Sequence, residues 1–199
     1  MGLSVLAALL GFAFVATVTP GPNNLMLMAS GANFGFGRTL PHMAGIVAGL
    51  AVLILLAGAG LMALFEAVPV VRTLLQIICA VYLLWLAWKV ATAAPLASAS
   101  SGSRPMTFMQ AAAFQWVNPK AWAIGLSAIT IYAPDRSFVS VILVAAAFTL
   151  GSFPAISVWA WLGTVIRRWL SDAKRRRTFN VAMACLLVAS LYPILGAGG

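Results

Sequence analysis

The sequence predicts an all-α polytopic membrane protein: six transmembrane helices as two inverted three-helix repeats, the first helix of each repeat broken at a proline. Three observations carry this. Of 199 residues, 63% are hydrophobic and only 8% charged, far outside the range of soluble domains. The apolar runs are long enough to cross a bilayer core of about 30 Å, which takes about 20 helical residues. A proline break also recurs at corresponding places in the two halves, at Thr19-Pro20 and Asn118-Pro119. A soluble core would need charge on its outer faces. A membrane barrel would show segments of about ten alternating residues instead of unbroken runs.

The spans are expected at about 3–28, 43–65, 69–92, 107–132, 138–163 and 178–196. The first carries no Lys or Arg before Leu3 and no small-residue cleavage site ahead of a soluble domain, so it reads as a span and not as a signal peptide. Near its end, "TPGPNN" (19–24) gathers the poorest helix formers of the chain. The second span begins near His42 and holds Gly45 and Gly49, alongside Gly58 and Gly60; close helix contact is their expected role. The third contains Cys79 and ends in "AVYLLWLAWKVATA" (80–93). The fourth contains "FQWVNPKAW" (114–122), the fifth an expected kink at Pro154, and the sixth Cys185. Trp85, Trp88, Trp116, Trp122, Trp159, Trp161 and Trp169 read as interface or packing residues.

Charge sets the orientation. Arg38, Lys89, Arg104, Arg167, Arg168, Lys174, Arg175, Arg176 and Arg177 fall in connections on one side. The other side has Arg72 and Arg136, each near an acid, Glu66 or Asp135. The positive-inside rule makes the first side cytoplasmic and puts both termini outside. The net charge of +9 therefore needs no nucleic acid. "AKRRR" (173–177) reads as a topology determinant touching anionic headgroups of the lipid bilayer.

The low-complexity stretch "AAPLASASSGSRP" (93–105) divides a single transporter domain, 1–199. Repeat 1 occupies about 1–92, the linker about 93–106 and repeat 2 about 107–199. A three-helix unit begins and ends on opposite sides of the membrane, so two in tandem insert upside down relative to each other. Each proline removes a backbone bond and clashes with the carbonyl a turn earlier. In hydrocarbon the freed groups must find partners or line a cavity. Matched breaks are thus the sequence pointer to a substrate site. Its candidate residues are Thr19, Pro20, Gly21, Pro22, Asn23 and Asn24 from the first break, and Gln115, Asn118, Pro119 and Lys120 from the second.

A helix restarting at Pro22 offers free N–H groups and the positive end of its dipole, which suits a carboxylate. Lys120 lies about 13 residues into its span, about 20 Å along the helix. A cation at that depth needs a partner. Two stay open: the substrate carboxylate, or the carbonyls freed by the opposite break. Asn23 is expected to fix the broken backbone.

"TPGPNNLMLMASGANFGFGRTLPHMAGIVAGL" (19–50) resembles the signature of the LysE/RhtB family of bacterial amino-acid exporters, and 80–93 and 114–122 resemble its third and fourth helices. The match covers most of the chain in the expected order. The resemblance implies six helices, a place in the bacterial inner (plasma) membrane, and export of small amino acids or derivatives, nearest the cysteine/O-acetylserine and homoserine/threonine branches. The residues favour neutral substrates on separate grounds. The acids are Glu66, Asp135 and Asp172, all expected in loops or at helix ends, so no carboxylate at membrane depth awaits a cationic side chain.

The expected partners are an amino-acid substrate, the bilayer, a proton or a sodium ion for coupling, and at the level of assembly a second copy in a homodimer. No catalytic residue, cofactor or metal is expected. His42 and Lys120 are the candidate coupling groups; for His42 a headgroup contact is an equal alternative. Two other classes compete with export: a transmembrane thiol–disulfide carrier built on Cys79 and Cys185, and an assembly subunit without transport. The two cysteines sit in apolar runs and read as small hydrophobes, and an assembly subunit does not account for matched breaks with polar side chains.

Overall fold

The computed structural model describes residues 2–61, 69–92, 104–167 and 169–189. Every element among them is helical: α1 (Leu3–Val18), α2 (Pro22–Phe34), α3 (Phe36–Leu56) running into a π-helical turn at Ala57–Leu61, α4 (Pro69–Ala91), α5 (Phe108–Val117), α6 (Pro119–Tyr132), α7 (Phe138–Ile166), a 3-10 turn at Trp169–Ser171, and α8 (Ala173–Ala189). α3 continued to Gly60, and α7, are each long and apolar enough to cross a membrane. α1 and α2, bent by 64°, make a third if the pair is one span. Most of the linker, Glu66 and the end of the sixth expected span lie outside the described residues.

Both expected breaks interrupt helices. The first span becomes α1 and α2, and the fourth becomes α5 and α6. Three boundaries differ from expectation: the first span runs on to Phe34 and not to 28. The second span starts at Phe36 and not near 43, because Gly35 alone (φ 84°) turns α2 into α3 and Pro41 is carried inside the helix. The last helix starts at Ala173 and not 178. Asp172 explains it: its carboxylate accepts the Arg175 N–H at 2.9 Å. That cap, with its charge at the positive end of the dipole, lets the basic run be helical.

Three buried clusters hold the bundle together. Leu9, Leu53 and Phe148 lie in one, Leu25, Leu83, Phe114 and Leu187 in a second, Leu27, Met43, Ile46 and Ile156 in the third. Close crossings need glycine. A Cβ on Gly45 would stand 2.3 Å from the Phe108 carbonyl oxygen, and one on Gly49 2.6 Å from that of Ala112. α2 and α7 meet more tightly still: a Cβ on Gly31 would lie 2.1 Å from the Ala160 carbonyl, and one on Gly163 2.1 Å from that of Met28.

Candidate functional site

The first break frees backbone carbonyls, and each finds a donor. Asn24 Nδ2 donates to the carbonyls of Thr17 at 2.8 Å and Thr19 at 2.7 Å. The Trp159 indole N–H donates to Val18 O at 2.8 Å. Lys120 Nζ, from the opposite break, donates to the Thr19 carbonyl, to Thr19 Oγ1 at 2.8 Å and to Pro20 O at 3.3 Å. Lys120 thus holds the carbonyls of the opposite break, one of its two alternatives. Gly21 makes that reach feasible, because a Cβ there would stand 2.8 Å from Lys120 Cδ.

Asn24, and not Asn23, fixes the broken backbone. This corrects the expectation from sequence, and the reason is register. α2 begins at Pro22, so Asn24 lies buried on the side facing the end of α1. Asn23 lies one residue back and faces α5. There it forms a reciprocal amide pair with Gln115: Asn23 Nδ2 donates to Gln115 Oε1 at 2.8 Å and Gln115 Nε2 to Asn23 Oδ1 at 3.2 Å. Gln115 is fully buried and also donates to Ala111 O at 2.9 Å.

The second break is closed by its own asparagine. Asn118 ends α5 and caps α6, its side chain accepting the Lys120 N–H at 3.2 Å. Pro119 sits at the first helical position, where its missing N–H costs nothing. α2, by contrast, starts from Gly21 with no side-chain cap and no acid in its first turn. Its first intrahelical bond is Leu25 N to Gly21 O. The N–H groups of Asn23 and Asn24 therefore have no intrahelical acceptor.

A small cavity, partly open to the outside, lies between the two breaks. Gly21, Asn23, Asn24, Gln115, Asn118 and Lys120 line it, as do Thr17 and Ser152. Ile46, Leu50, Ala121, Ile124 and Ile156 supply its apolar wall. Of the ten residues expected at the site, six line the cavity. Thr19 and Pro20 are exposed and act through their oxygens on Lys120, while Pro22 and Pro119 start helices. Sequence reading missed Thr17, Trp159 and Ser152. Thr17 and Ser152 were visible only as hydroxyls within apolar runs.

His42 makes no headgroup contact: it is 1% exposed, inside α3, one turn before the cavity-lining Ile46. Neither ring nitrogen has a partner among the described residues. Cys185 is free and exposed on α8, and the side chain of Cys79 lies outside the described residues.

Residues 14–190 match the family described as LysE type translocator. The cysteine/O-acetylserine efflux protein of Salmonella typhimurium (strain LT2) is 30% identical over 191 residues, which cover 92% of this chain and 94% of that one. The protein of the same name from Escherichia coli (strain K12) is 28% identical over 188 residues, 93% and 94% of the two chains. No solved structure matches.

Proposed function

The chain belongs to the LysE type translocator family, and from that premise we propose that it is a secondary transporter. It exports small neutral amino acids or derivatives, of the cysteine, O-acetylserine, threonine and homoserine kind, across the bacterial inner membrane. One observation carries this reading beyond the family: an uncapped helix start opens beside a cavity whose lining holds no acid. Peptide N–H groups at a helix start bind carboxylates with the help of the dipole. The amide oxygens of Asn23 and Gln115 each keep a second lone pair beyond their mutual bonds, which suits the substrate's ammonium group. With no carboxylate in the wall, a second positive charge on the substrate has nothing to meet. Lys120 serves as brace, because its ammonium is committed to the first break.

The six spans, their inverted repeat and the outward termini belong to the same proposal. It is supported by matched breaks that interlock, Asn23 on Gln115 and Lys120 on Thr19. The coupling ion is a proton. Sodium in broken-helix sites is held by freed carbonyls, and here those of Thr17, Val18, Thr19 and Pro20 are all engaged by protein donors. His42, buried in α3 one turn before the cavity-lining Ile46, is the group proposed to carry it.

Counterflow of O-acetyl-L-serine into proteoliposomes holding the full chain tests the reading, across a panel of amino acids. Exchange with cysteine, threonine and homoserine but not with lysine or arginine is expected. Collapsing the pH gradient should stop net efflux, and collapsing the sodium gradient should not. Preferred transport of lysine would overturn the substrate class, and sodium dependence the coupling.

A further inference from the structure

Seven polar side chains line the cavity, and six are already engaged. Thr17 Oγ1 donates to Ala13 O at 2.6 Å, and the two breaks account for Asn23, Asn24, Gln115, Asn118 and Lys120. The seventh is Ser152 on α7, 1% exposed, whose hydroxyl has no partner among the described residues.

The rest of α7 shows how unusual this is. A hydroxyl inside a helix ordinarily donates to the carbonyl one turn earlier. Thr149 does so to Ala145 at 2.9 Å, Ser157 to Phe153 at 2.6 Å and Thr164 to Ala160 at 3.1 Å. Ser152 alone of these does not, although the Phe148 carbonyl stands at the same spacing. A buried hydroxyl left unpaired is costly. A group placed in a cavity wall at that cost is one that a ligand completes.

We infer that Ser152 reads the side chain of the transported amino acid. The inference rests on the transport reading above and adds the element of selectivity. The ends shared by all amino acids have their counterparts at the breaks: N–H groups for the carboxylate, amide oxygens for the ammonium. What remains to be recognised is the side chain. Ile156, one turn along α7, and Leu50 belong to the same lining, and on α7 Ser152 is the lining's one hydrogen-bonding side chain. Such a wall fits a short neutral side chain bearing one heteroatom, a hydroxyl, ester oxygen or thiol, with Ser152 as donor or acceptor. Once the site is built to pair with that atom, an isostere lacking it leaves the hydroxyl unpaired and is rejected.

The experiment uses reconstituted full-length protein and isosteric competitors of O-acetyl-L-serine counterflow: L-serine against L-2-aminobutyrate, and L-homoserine against L-norvaline. Each pair differs by a hydroxyl in place of a methyl. The unmodified protein should prefer the hydroxyl member by about tenfold, the worth of one neutral hydrogen bond. In Ser152→Ala, which removes one oxygen atom, that ratio should fall to about one. A ratio near one in the unmodified protein overturns the proposal without any variant. So does a ratio that survives Ser152→Ala, or an equal loss for both members of a pair. Absence of counterflow with any amino acid would instead remove the transport reading itself, and this proposal with it.

Discussion

The two proline breaks share a pattern and differ in what their ends leave available. At the second, Asn118 closes the gap from within, ending α5 and capping α6 with one residue. At the first, a glycine starts α2 with no side chain to cap it, and the carbonyls opposite are tied down from a distance by Asn24, Trp159 and Lys120. One break is self-sufficient and lends its lysine. The other borrows donors for its carbonyls and keeps its N–H groups open. A matched break is therefore no guarantee of a matched role: the closed one gives the rigidity that lets the other stay open.

The largest expected effect comes from removing what passes between them. Lys120→Met strips the donor from Pro20 O and one donor from Thr19 O, and with them the tie by which the second break holds the first. Thermal unfolding of the purified protein should fall and counterflow should cease. Amino acids and their amide derivatives should be lost alike. Loss of amino acids alone would mean that the ammonium holds the carboxylate, and would make the second break the binding one.

Asn24→Leu should follow closely, because it unties the Thr17 and Thr19 carbonyls while leaving Lys120 in place. Reduced melting temperature and abolished counterflow are expected. A fully stable Asn24→Leu protein would show that the first break does not need its borrowed donors.

Asn23→Leu and Gln115→Leu probe the bridge between the breaks. Each alone abandons a buried amide, whereas the pair removed together abandons none. A double-mutant cycle of unfolding free energies should therefore give a coupling of about 0.5–3 kcal/mol, with counterflow lost in all three variants. Additive losses would mean that the two amides do not depend on each other.

Asn118→Ala should do least. It deletes a helix cap worth about 1 kcal/mol, seen as a small drop in melting temperature with counterflow retained. Loss of transport at unchanged stability would place Asn118 on the substrate and erase the distinction between the breaks.

Much of this arrangement was legible in the sequence. Unbroken apolar runs located the helices, and prolines located both breaks, since few residues so reliably interrupt a helical ladder. Charge was less informative about boundaries. Arg38 read as a connection and His42 as the start of a span, yet a single left-handed Gly35 turns the chain and the helix runs straight through both. The basic run at 174–177 read as a loop, although Asp172 before it is a cap signal. Within the site, composition found the polar cluster, but register decided its wiring. Whether Asn23 or Asn24 faces the broken backbone turns on one residue of helix phase. Ser152 was hidden for another reason: an isolated serine in a long apolar helix usually bonds its own backbone, and only geometry shows that this one does not.

The backbone contact of Gly31 and Gly163 with α7 and α2 has a mechanical consequence. Where two helices meet through side chains, rotamers can yield and one cylinder can roll past the other. Here carbonyls rest where Cβ atoms would otherwise be, so the contact has no bearing surface. α2 and α7 are welded over this stretch, and a tilt of either is a tilt of both. α2 carries the open helix start and α7 carries Ser152, so the two ends of the cavity ride on one rigid beam. Their spacing is fixed by that contact, like the jaws of a caliper locked at one setting.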